Sequence, residues 1–279
     1  MNTLMNNYIQ FLKNKYPSLV KPYQTRLKDN LTGARAEAVT FHFFESYVDE
    51  VKVNETRKGG GTDFLCKTED SVFLAEITGI ATDTVTNKSG LKNELTEEIT
   101  IQSPCQITKK LCGIVYDKHS QMSEYNYPGI LVITSDHILA DTLFDPFNAQ
   151  CLLIGNMSIG VPIPINGRAT PESNPINQTD LKNGCFLQMN QGWDVCNRNI
   201  SAVLLFHISG VNAFLTGILH PEPIHKFSPK LLPSVSFIRL INWPPDDNIL
   251  EVEWVKYVGN EIVPTEPEQT TFGYNVSFN

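Results

Sequence analysis

Asp63 and Glu76 are carboxylates set among apolar residues, a placement that is costly unless a cation or hydrogen-bond donors hold the charge. Asp63 follows Gly59-Gly60-Gly61-Thr62 and leads into Phe64-Leu65. Glu76 sits inside Val72-Phe73-Leu74-Ala75-Glu76-Ile77-Thr78. The two runs are predicted to be short strands joined by a polar turn from Lys67 to Ser71. A hairpin of this kind brings residues distant in sequence side by side. Two convergent carboxylates behind a glycine-rich approach suit a hard divalent cation such as Mg²⁺. Asp63 and Glu76 are therefore expected to lie within about 5 Å of each other, close enough to share one ion.

Two more ionisable residues interrupt apolar patterns. A helix is predicted from about Leu31 to Val48, with Ala34, Ala38, Phe41, Phe44 and Val48 on its inner stripe. Glu37 lies on that stripe, either as a boundary acid reaching solvent or as a buried acid facing the same site. A second helix is predicted to start at Ser103-Pro104, a good cap and first turn, and to run to Met122. Its apolar positions are Ile107, Leu111, Ile114, Val115 and Met122, and Lys118 falls among them. Lys118 either snorkels to water or aims its ammonium at the carboxylates, with Gln121 close by on the same helix. Lys109 and Lys110 read as a solvated face.

The elements that must position these groups follow in chain order. Residues 1–20 read as one short helix, with Tyr8, Phe11 and Leu12 on one side and Lys21-Pro22 at its end. A strand is predicted over Val51–Glu55, and a long loop over Gly79–Thr96. Ile130-Leu131-Val132-Ile133-Thr134 is apolar throughout, as expected of a central strand covered on both faces. A short strand is expected near Cys151–Ile154, and an elaborate loop region over Ile159–Asn199. Strands follow at Ile200–Phe206, Asn212–Leu219 and Leu250–Tyr257, with irregular chain over Pro221–Pro233 and a loose tail from Gly259. No boundary interrupts the chain, so a single domain over 1–279 is expected. Its core would span 30–135, and 150–279 would form a β-rich extension of the same sheet.

The 279 residues are 41% hydrophobic and 19% charged, an ordinary globular balance. The 6 cysteines include no C-x-x-C pair, which speaks for reduced thiols rather than zinc. The net charge of −8 weighs mildly against nucleic acid, although a local basic strip or a bound cation can still meet phosphate. Met1–Val20 lacks the apolar core of a signal peptide, and no window has the roughly 20 apolar residues of a membrane span. No membrane association and a cytoplasmic location are expected. Open sheet edges and an extra N-terminal helix are compatible with a homodimer.

The order helix with Glu37, strand, strand with Asp63, strand with Glu76, helix with Lys118 and Gln121, apolar strand resembles the PD-(D/E)xK nuclease superfamily. The resemblance covers residues 30–135 and implies an α/β, restriction-endonuclease-like αβββαβ core with a mixed sheet, here extended by C-terminal antiparallel strands. Gly60-Gly61-Thr62-Asp63-Phe64 is similar to the family's approach to its first acid, with Thr62 where proline is preferred. Glu76-Ile77-Thr78 is similar to (D/E)-x-K, with Thr78 in the lysine position. Some members with E-x-T take a lysine or glutamine from the following helix, the place of Lys118 and Gln121. Glu37 corresponds to the acid many members carry on the first helix. The resemblance implies a Mg²⁺- or Mn²⁺-dependent nuclease cleaving DNA phosphodiesters. Asp63, Glu76 and the Ile77 carbonyl would hold the metal, Lys118 would orient the nucleophile, and Glu37 would hold a metal-bound water or a second ion. The alternative is an inactive nuclease-like module that binds nucleic acid or a protein.

Overall fold

A computed structural model describes residues 2–54, 61–90, 92–93, 105–160, 176–180, 184–189, 192–210, 212–245 and 250–273. The chain opens with three helices, α1 (Asn2–Lys15), α2 (Pro17–Asp29) and α3 (Leu31–Glu45). Three strands follow: β1 (Glu50–Val53), β2 (Phe64–Lys67) and β3 (Val72–Ile80). Two helices, α4 (Thr82–Ser89) and α5 (Cys105–Lys118), precede β4 (Gly129–Ser135). Next come α6 (Pro146–Ile154), β5 (Asn156–Gly160), β6 (Ile176–Asp180), β7 (Leu187–Met189) and β8 (Trp193–Val195). The chain closes with β9 (Ala202–Ser209), β10 (Asn212–Leu219), β11 (Phe237–Leu240), β12 (Val252–Val258), β13 (Glu261–Thr265) and β14 (Thr270–Gly273).

This is an α/β architecture built on one ten-stranded mixed sheet in the order β1-β2-β3-β4-β9-β10-β11-β12-β13, with β14 paired to β10. β1, β2 and β3 are antiparallel, and β4 lies parallel to both β3 and β9. Every residue of β4 is buried, as its unbroken apolar run requires. The core divides between the two sheet faces. Tyr8, Tyr23, Phe41 and Phe43 of the N-terminal helices pack with Phe64, Phe73, Ala75 and Phe206 on one face. Ile107, Leu111 and Val115 of α5 and Leu152 and Leu153 of α6 pack with Leu131, Ile133, Val203 and Leu205 on the other. The alternation of neighbours along β3 and β4 follows from the period of two in a strand. Gly79 of β3 lets α3 come close, since a Cβ there would stand 3.1 Å from the Thr32 main-chain oxygen.

Several expectations are corrected. The expected single N-terminal helix is two, and Pro22 lies inside α2 rather than ending a helix. The carbonyl that Pro22 cannot bond belongs to exposed Ser18 and faces solvent rather than the core. The expected loop over 79–96 contains α4; residues 91 and 94–96 lie outside the described ones. That helix is threonine-rich and intrinsically weak, but Val85 is buried and Thr82 and Thr86 bond Asp136 and His137 at 3.3 Å each. Cys151–Ile154 is the last turn of α6, not a strand. Asp145 caps that helix by accepting from the Asn148 N–H at 2.7 Å, and Pro146 follows at the first position. The loop expected over 159–199 includes β6 and the antiparallel pair β7 and β8, with 161–175, 181–183 and 190–191 outside the described residues. The tail expected to be loose from Gly259 contains β13 and β14, which join the main sheet, with 274–279 outside the described residues. Of the glycine-rich approach to Asp63, only Gly61 and Thr62 are among the described residues, and Ser103-Pro104 lie outside them.

Gly217 of β10 sits beside Phe237 of β11, and a Cβ there would meet the Phe237 ring at 2.2 Å. Gly217→Ala is therefore expected to destabilise the fold by about 1–3 kcal/mol through overpacking. Gly113, exposed on α5 with nothing within 4 Å of an added Cβ, is the control. Gly113→Ala is expected to stabilise by about 0.5–1 kcal/mol. Thermal unfolding of both variants measures the contrast, and equal melting temperatures would contradict it.

Candidate active site

The β2–β3 ladder pairs Phe64 with Ala75, and one step further the register sets Asp63 beside Glu76. The ladder stops there. Asp63 fills the gap with its side chain, whose Oδ2 accepts the Ile77 N–H at 2.7 Å. In a strand the C=O of a residue points the same way as its N–H, so the Ile77 carbonyl faces the Asp63 side as well. β1 remains alongside, with the Asn54 N–H donating to the Asp63 carbonyl at 2.9 Å. The outcome is a polar notch between the end of β2 and the middle of β3.

Glu76 is buried, and its side chain leaves β3 on the face covered by α5. Lys118, the last residue of α5, reaches back to it: Nζ lies 2.7 Å from Glu76 Oε1. The same ammonium donates to Gln121 Oε1 at 3.1 Å. Lys118 thus points into the notch rather than away from it, while Lys109 and Lys110 are exposed. Thr78 follows Glu76 on the same face by strand alternation, and its buried hydroxyl has no hydrogen-bond partner among the described residues.

Glu37 approaches from α3. It is buried, and its partners include two residues not singled out as site residues in the sequence. The Tyr8 hydroxyl of α1 donates to Oε1 at 2.7 Å. Arg26 of α2 brings Nη2 to 2.9 Å from Oε2 and 3.1 Å from Oε1. The Tyr8 ring packs edge-on against Phe64, the neighbour of Asp63. Tyr8 stands on the apolar stripe of α1, where an aromatic reads as core; Arg26 lies beyond the proline that reads as a stop. Neither carries a local mark of its role.

The three acids feel one another. Burial, then the charges of Glu76 and Glu37, push the Asp63 carboxyl well above its ordinary range, against the Ile77 N–H and the Lys118 ammonium, which lower it. Burial, then Glu37 and more weakly Asp63, raise the Tyr8 phenol in the same way. The arrangement gathers Asp63, Glu76 and Glu37 with Lys118 and Arg26 at its flanks, and leaves Gln121 exposed at the rim.

No family model matches this chain, and neither the curated proteins nor the solved structures searched provide a match. Chemistry alone must speak for the notch. Among the described residues no three His, Cys, Asp or Glu side chains form a ready cage for a metal. The notch offers less than a cage: two carboxylates, a main-chain carbonyl, a lysine and a hydroxyl. Elsewhere, His220 is structural, its two ring nitrogens bonded to the Cys196 carbonyl and the Glu222 N–H, and burial pushes it down to about 4. Cys66, Cys185 and Cys196 are free thiols, and burial raises Cys112 to about 12. No helix among the described residues is long and apolar enough to cross a membrane.

Proposed function

We propose that this chain is a divalent-cation-dependent phosphodiesterase that cleaves DNA. The observation that carries the reading is the side-by-side setting of Asp63 and Glu76 with Lys118 bonded to Glu76 at 2.7 Å. Mg²⁺ commonly keeps several waters and takes only one or two carboxylates, so a two-acid notch fits it where a closed cage is absent. The raised Asp63 carboxyl fits too: an acid crowded by two others lacks a counter-charge that a cation would supply. Asp63, Glu76 and the Ile77 carbonyl would hold Mg²⁺ or Mn²⁺, which would acidify a bound water and offset charge building on the phosphate.

The chain's own residues would do the rest. Lys118 would orient the attacking water and neutralise charge at the phosphate, anchored by Glu76 and Gln121. Thr78 would offer its unused hydroxyl to a water in the position where a lysine is more usual. Glu37, with its oxygens bonded to Tyr8 and Arg26, would act through its charge rather than as a ligand. The test is incubation of plasmid DNA with the purified chain in Mg²⁺, Mn²⁺ or EDTA. Nicked or linear product with either metal and none in EDTA is expected. Intact DNA at enzyme excess in both metals would refute nuclease activity.

A further inference from the structure

Glu37 is the acid whose surroundings least suit a metal ligand. It meets the notch through Tyr8, whose hydroxyl bonds it at 2.7 Å and whose ring packs edge-on against Phe64, the residue after Asp63. Tyr8 thus takes one of its oxygens, and Arg26 spans both at 2.9 and 3.1 Å. The two partners belong to α1 and α2, outside the strands that carry the other acids. Tyr8 is fully buried among Phe11, Tyr23, Phe41 and Phe64 and has no room to turn. Arg26 lies against the Tyr23 ring with its side chain 33% exposed, so it is the partner able to move.

We propose that Tyr8 and Arg26 are positioning residues that latch Glu37 out of the cation's coordination shell, so that the α1–α2 pair sets how tightly the notch binds a divalent cation. The inference rests on the reading of Asp63 and Glu76 as cation ligands. A carboxylate that already accepts three charge-assisted contacts has fewer lone pairs and less charge to offer a cation than one turned wholly towards the ion. Arg26 also cancels the charge that Glu37 would otherwise contribute, and cation affinity at oxygen sites follows the number of charged ligands. Freed from the latch, Glu37 becomes a third acid beside Asp63 and strengthens the site. A purely structural role for the Tyr8–Glu37–Arg26 contact would lower stability when it is broken, but would not tighten the binding of a cation.

Mn²⁺ titration of the full chain, with free Mn²⁺ followed by electron paramagnetic resonance, separates these roles. Arg26→Gln is expected to tighten Mn²⁺ binding by about three- to tenfold through the added charged ligand. Adding Glu37→Gln to Arg26→Gln should remove the gain. Tyr8→Phe keeps the ion pair and the ring packing, so it should fold even if Arg26→Gln does not, with a smaller gain of about twofold. Wild-type or weaker affinity in the folded variants would overturn the latch, as would a gain that survives Glu37→Gln. Asp63→Asn tests the underlying site: unchanged Mn²⁺ binding there would refute the cation reading itself, whatever the latch variants do.

Discussion

Asp63→Ala and Lys118→Ala should each lower Mg²⁺-dependent DNA cleavage by a factor of about a hundred or more, the usual scale for a metal ligand or an acid–base group. The two losses have different origins. Asp63 shares the notch with Glu76 and orders the Ile77 main chain through its 2.7 Å bond, so its removal takes away a ligand and loosens the carbonyl beside it. Lys118 is a counter-ion to Glu76, 42 residues away in the chain, and is only a quarter exposed. Lys118→Ala should therefore leave Mn²⁺ binding intact or stronger, because it frees a Glu76 oxygen while removing a competing positive charge. Single-turnover cleavage combined with Mn²⁺ titration distinguishes the two. Full cleavage by a clean Lys118→Ala preparation would end its assigned role, and full cleavage by Asp63→Ala would end the metal site.

The second large effect couples pH, cation and stability. The Asp63 carboxyl is raised by burial and by its two acidic neighbours, so the folded chain holds this proton more tightly than the unfolded chain. Its contribution is fully present below the ordinary aspartate value of about 3.9 and is lost as pH climbs through the raised value. Without cation, the wild type should therefore lose stability relative to Asp63→Asn as pH rises above about 4. A divalent cation at about a hundred times its dissociation constant should return about 2.7 kcal/mol at pH 7. It should return much less near pH 5, since the ligand must first lose its proton. Melting curves of both proteins, with and without Mg²⁺, give the comparison. Equal cation-induced shifts in wild type and Asp63→Asn at pH 7 would place the cation elsewhere.

The parts of the fold readable from the chain are those with local periodicity. The apolar run Ile130–Thr134 has no polar face and can only be a covered strand, and it is β4. The predicted stripe of α3 is buried at Ala34, Ala38, Phe41 and Phe44, but so are Ala36, Val39 and Phe43, and Val48 lies past the helix end, so packing covers more of α3 than its periodicity declares. Where the local signal is weak or double-edged, packing decided. Thr82–Ser89 has poor helix formers and becomes α4 because Val85 is covered and two threonines find partners at the end of β4. Cys151–Ile154 is apolar enough for either state, and its length within an Asp-Pro-capped segment makes it a helix. Thr270–Gly273 carries little sign of its partner, since its register with β10 joins segments more than 50 residues apart.

The candidate site divides along the same line. Asp63, Glu76, Glu37 and Lys118 betray themselves as charges on apolar faces, because burying a charge is costly and sequences rarely do it idly. By itself the sequence determined which charges stand on inward faces. Their partners have no such mark. Tyr8 is as suitable for a core as Phe11, and Arg26 as suitable for a surface as Lys28, until three helices pack and bring both onto Glu37. Only the tertiary structure decided that pairing, whereas the setting of Asp63 beside Glu76 already follows from the hairpin. Hydrogen bonds between side chains depend on distances of a few tenths of an ångström, set by packing across elements that no local pattern encodes.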